Sequence, residues 1–170
     1  MEPTPLKAEN ILGIILVLIG LYFTSFHDFL LFHSLVEMFS AVIAFGIFIV
    51  AWNSRRIQKN HYLLFIGIAY LFVGLLDLAH TLTYKGITVF HQDADVPTQL
   101  WIIARYTESA SLLIAPVFLT RRLSSSRIFT IYTLVTGLMV ALVALDLFPA
   151  CFVEGRGLTP FKKISEYVIA

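Results

Sequence analysis

Six ionisable side chains stand inside three long apolar runs of this sequence: His33, Glu37, Asp77, His80, Arg105 and Glu108. Each costs ~2.5–3.5 kcal/mol to insert at the centre of a membrane helix, so each needs a partner or a purpose. Their spacing is helical. His33 and Glu37 are four residues apart, whereas Asp77 and His80, and Arg105 and Glu108, are three apart. Either spacing puts both members of a pair on one helix face. Two imidazoles and three carboxylates form a mixed nitrogen and oxygen donor set, suited to zinc, iron, manganese or copper. Inward-facing Glu and His at such spacings are how helix bundles hold these ions. The same residues allow other chemistry. His33 and His80 could be axial ligands of haem b. Arg105 could clamp the anionic part of a small polar ligand. The cluster could equally be a closed hydrogen-bond network that only ties helices together, at ~0.6 kcal/mol per bond.

The elements that must position these groups are membrane spans. Of the 170 residues, 58% are hydrophobic and 14% charged, with a net charge of +1. Soluble domains are nearer ~45–50% apolar and ~25% charged. This composition excludes a water-soluble globular enzyme, a disordered tail and a nucleic-acid binder. The lone Cys151 excludes an internal disulfide framework and a cysteine-rich zinc site. Runs long enough for the bilayer core occur at about 11–26, 29–52, 62–84, 98–119 and 128–150. The fold class expected is all-α, a polytopic transmembrane helix bundle of five spans, with residues 1–170 as one domain. A start of a sixth span is read near residue 167, at the apolar Tyr167-Val168-Ile169-Ala170. Gly13 with Gly20, and Gly67 with Gly74, are two turns apart and suit close helix approach. Pro116 should kink or end the fourth span.

Lys and Arg cluster in alternate loops: Arg55, Arg56 and Lys59 after the second run, Arg121, Arg122 and Arg127 after the fourth. Basic loops face the cytoplasm. The N-terminus is then cytoplasmic and the tail after the fifth run outside. With ~1.5 Å of rise per residue, all six ionisable groups fall roughly 6–16 Å below the outer edge of the bilayer. Three helices therefore present polar faces at one level. His33, Glu37, Asp77, His80 and Glu108 are the candidate ligand or metal residues, Arg105 and Tyr106 supporting polar groups, His27 and Asp28 the rim. The inner halves of these runs are nearly free of polar residues, which favours a site open to the outside over a through-path for ions.

Weaker candidates complete the reading. His91, Asp93 and Asp95 are three potential ligands in an outer loop, read first as solvated. Asp146 is expected near the outer end of the fifth span, Cys151 at the interface, and Trp52 and Trp101 as interfacial anchors. No nucleophile elbow, P-loop, dinucleotide fingerprint or HExxH is present.

Four segments in order carry a resemblance: LFHSLVEMFSAVIAFGIFIVAWNSRR, LFIGIAYLFVGLLDLAHTLTYKGITVF, TQLWIIARYTESASLLIAP and GLTPFKKISEYVI. Together they resemble the bacterial membrane-associated sensor domain of the third MASE type. The likeness runs from about Ile11 to Ala170, and the family's polar motif maps onto the six residues above. It implies an input module in the bacterial inner membrane, of about six or more helices, followed by cytoplasmic PAS, histidine kinase or diguanylate cyclase domains. The chain is then expected to be no enzyme itself. Its partners would be the lipid bilayer, a small ligand or ion and the output domains of the same chain, with a homodimer left open and no nucleic acid. The alternative reading is a haem-binding membrane redox protein or electron carrier.

Overall fold

The computed structural model describes residues 8–58, 60–84, 86–87 and 94–169. Five helices are long and apolar enough to cross a membrane. They are α1 (Ala8–His27), α2 (Phe29–Ser54), α3 (Tyr62–Thr83), α4 (Asp95–Ile114) with its 3-10 extension Ala115–Leu119, and α5 (Ser125–Ala144). A hairpin of β1 (Phe152–Val153) and β2 (Gly157–Leu158) and a short α6 (Pro160–Ile169) follow. The chain divides within α2 into two units, Met1–Val36 and Glu37–Ala170.

In the first unit α1 is apolar on every side and buried nowhere along its span, as befits a helix solvated by lipid. Gly13 and Gly20 meet nothing within 4 Å, so that pair brings no helix close. Only Asp28 separates α1 from α2. Its Oδ1 accepts the Leu30 and Leu31 amides at 2.8 and 3.2 Å, which caps the start of α2.

The second unit is a helix bundle built around α3, whose residues Leu64 to Ala69 are all buried. Small residues set its packing against α2. A Cβ on Gly67 would collide with that of Ala51, and one on Gly74 would come 3.0 Å from that of Ala44. Both contacts repeat every seven residues, so the two backbones run close over two turns. Further along, Leu76, Leu100, Ile103, Ala104 and Val143 join α3, α4 and α5. Trp52 is half-buried against Phe129, ring centroids 5.5 Å apart, and stacks under Arg55 at 4.2 Å. It is part of the bundle rather than an anchor outside it.

The ends of elements move for local reasons. Helix α4 starts at Asp95, three residues before the expected position, because Pro97 is tolerated in a first turn and Asp95 complements the helix dipole there. At the far end Pro116 denies the α-helical hydrogen bond, and Ala115–Leu119 tightens into 3-10 geometry. Helix α5 stops at Ala144, six residues early. Asp146 adopts φ 54°, its amide donates to Val143 O at 3.1 Å, and the Leu147 amide donates to Leu142 O at 2.8 Å. This is a left-handed C-terminal cap with Pro149 just beyond it. Asp146 is therefore exposed in a turn, not buried in a span.

The tail is folded and its helix starts earlier than residue 167. Thr159 Oγ1 accepts the Lys162 amide at 3.2 Å and Pro160 takes the first helical position. Lys162 lies against Trp101, and Ser109 Oγ donates to Ile169 O at 3.4 Å. Helix α6 thus runs alongside α4 in the same direction.

Candidate functional site

Helices α3 and α4 bring three of the sequence candidates into direct contact. Arg105 Nη2 donates to both carboxylate oxygens of Asp77, at 2.6 and 2.7 Å. Its Nη1 donates to Glu108 Oε2 at 2.7 Å, one turn along α4. Glu108 Oε1 accepts the Tyr70 hydroxyl at 3.0 Å. Asp77 is the most enclosed member, its side chain 3% exposed against 26% for Arg105. Charge-assisted bonds of this length are the strong class, and enclosure makes each one costly to break from one side.

Glu37 belongs to the same core. It is half-buried on α2 and interacts electrostatically with Asp77 and Arg105. Three carboxylates, Glu37, Asp77 and Glu108, thus face one guanidinium. Arg105 spends two of its nitrogens on Asp77 and Glu108, and its buried Nε has no hydrogen-bond partner among the described residues. The carboxylate to which it makes no bond is Glu37.

Beside Glu37 stands His80. A Glu37 carboxylate oxygen and a His80 ring nitrogen lie within 4.8 Å of one another. The His80 ring is buried and aimed by its backbone neighbour, with Nδ1 2.7 Å from Pro97 O. A carbonyl only accepts, so Nδ1 carries a hydrogen and donates it. Orientation of one imidazole nitrogen by a backbone carbonyl is the usual support for a metal-ligating histidine.

A second polar group continues from this core through an indole. Lys162 is 5% exposed, sits 3.5 Å from the Trp101 ring centroid and pairs with Glu166 Oε1 at 2.7 Å. The Arg105 guanidinium stands 6.0 Å from the centroid of the same ring. Trp101 is a half-buried bridge between two cations. At the N-terminus of α4, Asp95 Oδ1 accepts the Cys151 and Phe152 amides at 2.7 and 2.6 Å, and Oδ2 accepts Gln99 Nε2 at 3.0 Å. Asp95 fastens the tail to the bundle and is no solvated loop residue. Cys151 is wholly buried. Burial, then the Asp95 charge, pushes its thiol up to about 12, with Lys162 pulling the other way.

The second unit therefore gathers Glu37, Asp77, His80, Arg105 and Glu108. His33 belongs to the first unit; it is half-buried near the start of α2, its ring stacked on Phe29 with centroids 6.0 Å apart. His27 ends α1 and is exposed, and Asp28 is the cap of α2 described above. Tyr106 is exposed and lines an apolar cavity between α4 and α5 instead of facing Arg105's partners. His91 and Asp93 lie outside the described residues. Residue types alone left out Tyr70 and Lys162. Tyr70 had a signal, since it is seven residues before Asp77 and so on the same face. Lys162 had one too, because Thr159-Pro160 marks a helix start and puts Glu166 four residues along it.

No curated protein and no solved structure matches this chain. A family model does, over residues 24–170. It spans α2 to α6, every element that carries the second unit's polar core, and is described as a membrane-associated sensor domain. The chain belongs to that family, MASE3.

Proposed function

We propose that this sensor domain takes its input at Glu37 and His80, and that the input is a cation. The observation that carries this is the Glu37 carboxylate left over by Arg105. In surroundings of low dielectric an excess carboxylate is neutralised by a proton or met by a cation. A divalent transition metal suits the donors, an imidazole and a carboxylate oxygen. Occupancy then biases the packing of α2 against α3 and α4 only as far as the ion binds one packing better than another. Tyr70, Asp77, Arg105 and Glu108 are the supporting frame that keeps the site in register.

The orientation that goes with this reading places the basic segments around 55–59 and 121–127 in the cytoplasm of a bacterial inner membrane, and the site in the outer half of the bilayer. The change at the site is passed to a cytoplasmic histidine kinase or diguanylate cyclase domain of the same polypeptide. Elemental and ultraviolet–visible analysis of the chain, purified in mild detergent without chelator, tests the site. Near-stoichiometric metal that Glu37→Gln and His80→Ala each remove is the expected result. A haem absorbance band would replace the ion with haem b. Metal-free, colourless protein that also rebinds no added zinc or copper would defeat the metal reading.

A further inference from the structure

A cavity of about 500 Å³ lies between α4 and α5, away from the polar core. Its size is that of a small-ligand site. Phe65 and Phe118 form part of its wall, stacked with ring centroids 4.5 Å apart, and Ile103 to Ile114 run along it for roughly 16 Å. Ile114, Ile131 and Val135 border it and are exposed, so it opens sideways from the bundle. In a membrane that opening faces lipid, and a ligand would arrive through the bilayer.

The wall is apolar except for the hydroxyls of Tyr106, Thr107, Ser111 and Tyr132; the last three form one chain whose hydrogens are already assigned. Thr107 Oγ1 donates to Ile103 O at 2.7 Å. Ser111 Oγ donates to Thr107 O. Ser111 Oγ is also 2.6 Å from the Tyr132 hydroxyl. The single Ser111 hydrogen goes to a carbonyl that can only accept, so Tyr132 must donate to Ser111. Every hydrogen in this chain points into the protein, and the Tyr132 oxygen keeps lone pairs. The polar spot is an acceptor with no hydrogen of its own to offer.

We propose that this cavity is a binding site for an uncharged lipophilic alcohol or phenol, whose hydroxyl donates to Tyr132 while its hydrocarbon body fills the apolar wall. A hydroxyl dissolved in hydrocarbon lacks an acceptor, so it gains here what a phospholipid acyl chain does not. The site is independent of any cation at Glu37 and His80.

The test uses the full chain in phospholipid nanodiscs and an octanol carrying a photoreactive diazirine. Saturable labelling of residues lining the α4–α5 cavity is expected. Octan-1-ol should compete about five-fold better than octan-2-one, which has the same chain and no donor. Ser111→Ala releases the Tyr132 hydrogen, so octan-2-one should then compete as well as the alcohol. Tyr132→Phe removes the acceptor and should cancel the preference for octanol. Helicity and elution volume establish that each variant is folded. Should either variant fail to fold, the comparison of the two competitors in the wild-type chain decides alone. Equal competition by octan-1-ol, octan-2-one and octane in that chain, or labelling that does not saturate, would overturn the proposal and leave the cavity as a seat for lipid chains.

Discussion

Arg105 is the hub of the core, and the asymmetry of buried ion pairs decides what its loss would do. Removing it leaves the Asp77 and Glu108 carboxylates facing one another without a counter-charge. Arg105→Leu is therefore expected to cost about 3 kcal/mol, read as a lower Tm in detergent. Adding Asp77→Asn should recover part of that loss, because one stranded charge is then gone. A Tm unchanged in Arg105→Leu would show the pair to be energetically idle. Cys151 gives a pH-dependent counterpart. Its thiol is raised from 9.0 to about 12 by burial, so the folded chain favours the protonated form. Its contribution to stability is whole below pH 9 and is lost as pH climbs towards 12. Alkylation at pH 8 should be negligible until the protein unfolds, and the stability gap between wild type and Cys151→Ala should narrow in alkali. Rapid alkylation of folded protein at pH 8 would contradict this. At this scale the polar core was legible from sequence, since charged residues in apolar runs advertise themselves. Which carboxylate Arg105 would choose was not, because all three stood at one depth and only the packing of α3 on α4 separates them.

The elements are held by shape as much as by polarity. Gly67 and Gly74 let α3 lie against Ala51 and Ala44 of α2, whereas Gly13 and Gly20 touch nothing. Gly67→Ala should therefore destabilise by about 1–3 kcal/mol through overpacking, and Gly13→Ala should cause no loss. Thermal denaturation of the two variants side by side checks this; equal Tm values would mean that α2 and α3 do not pack so closely. Spacing alone could not tell the two glycine pairs apart. Both are seven residues apart, and it takes the alanines of α2 opposite Gly67 and Gly74 to mark that pair as a contact. The end of α5 was hidden for another reason. Leu145 to Ala150 is apolar enough to prolong a span, yet Asp146 in the left-handed region and Pro149 end the helix. The start of α6 is set by the capping pair Thr159-Pro160, which hydropathy does not register.

For the molecule as a whole, lipid replaces water as the main solvent. Apolar side chains cover α1 and the outer faces of α2 and α5, a surface that would aggregate in buffer and is at home in hydrocarbon. Composition and run length suffice for that conclusion and for the five long helices. They say less about the tail, where polar and apolar residues mix and the register is set by contacts with α4. The orientation argued from the basic loops has a direct check. A reporter that works only outside the cytoplasm should be active when fused after Gly155, at the tip of the hairpin, and silent when fused after Ser124. The reverse pattern would invert the assignment and put the polar core on the cytoplasmic side.

The clasp at Asp95 has a mechanical consequence. One carboxylate oxygen grips two successive amides, and the hairpin then delivers the chain to α6. The near end of α6 is thereby pinned beside the start of α4, and Lys162 seats on Trp101 only two residues beyond Pro160. With Ser109 holding Ile169 O at the other end, α6 is tied to α4 at both ends, so a tilt of α4 is handed to the tail undiminished.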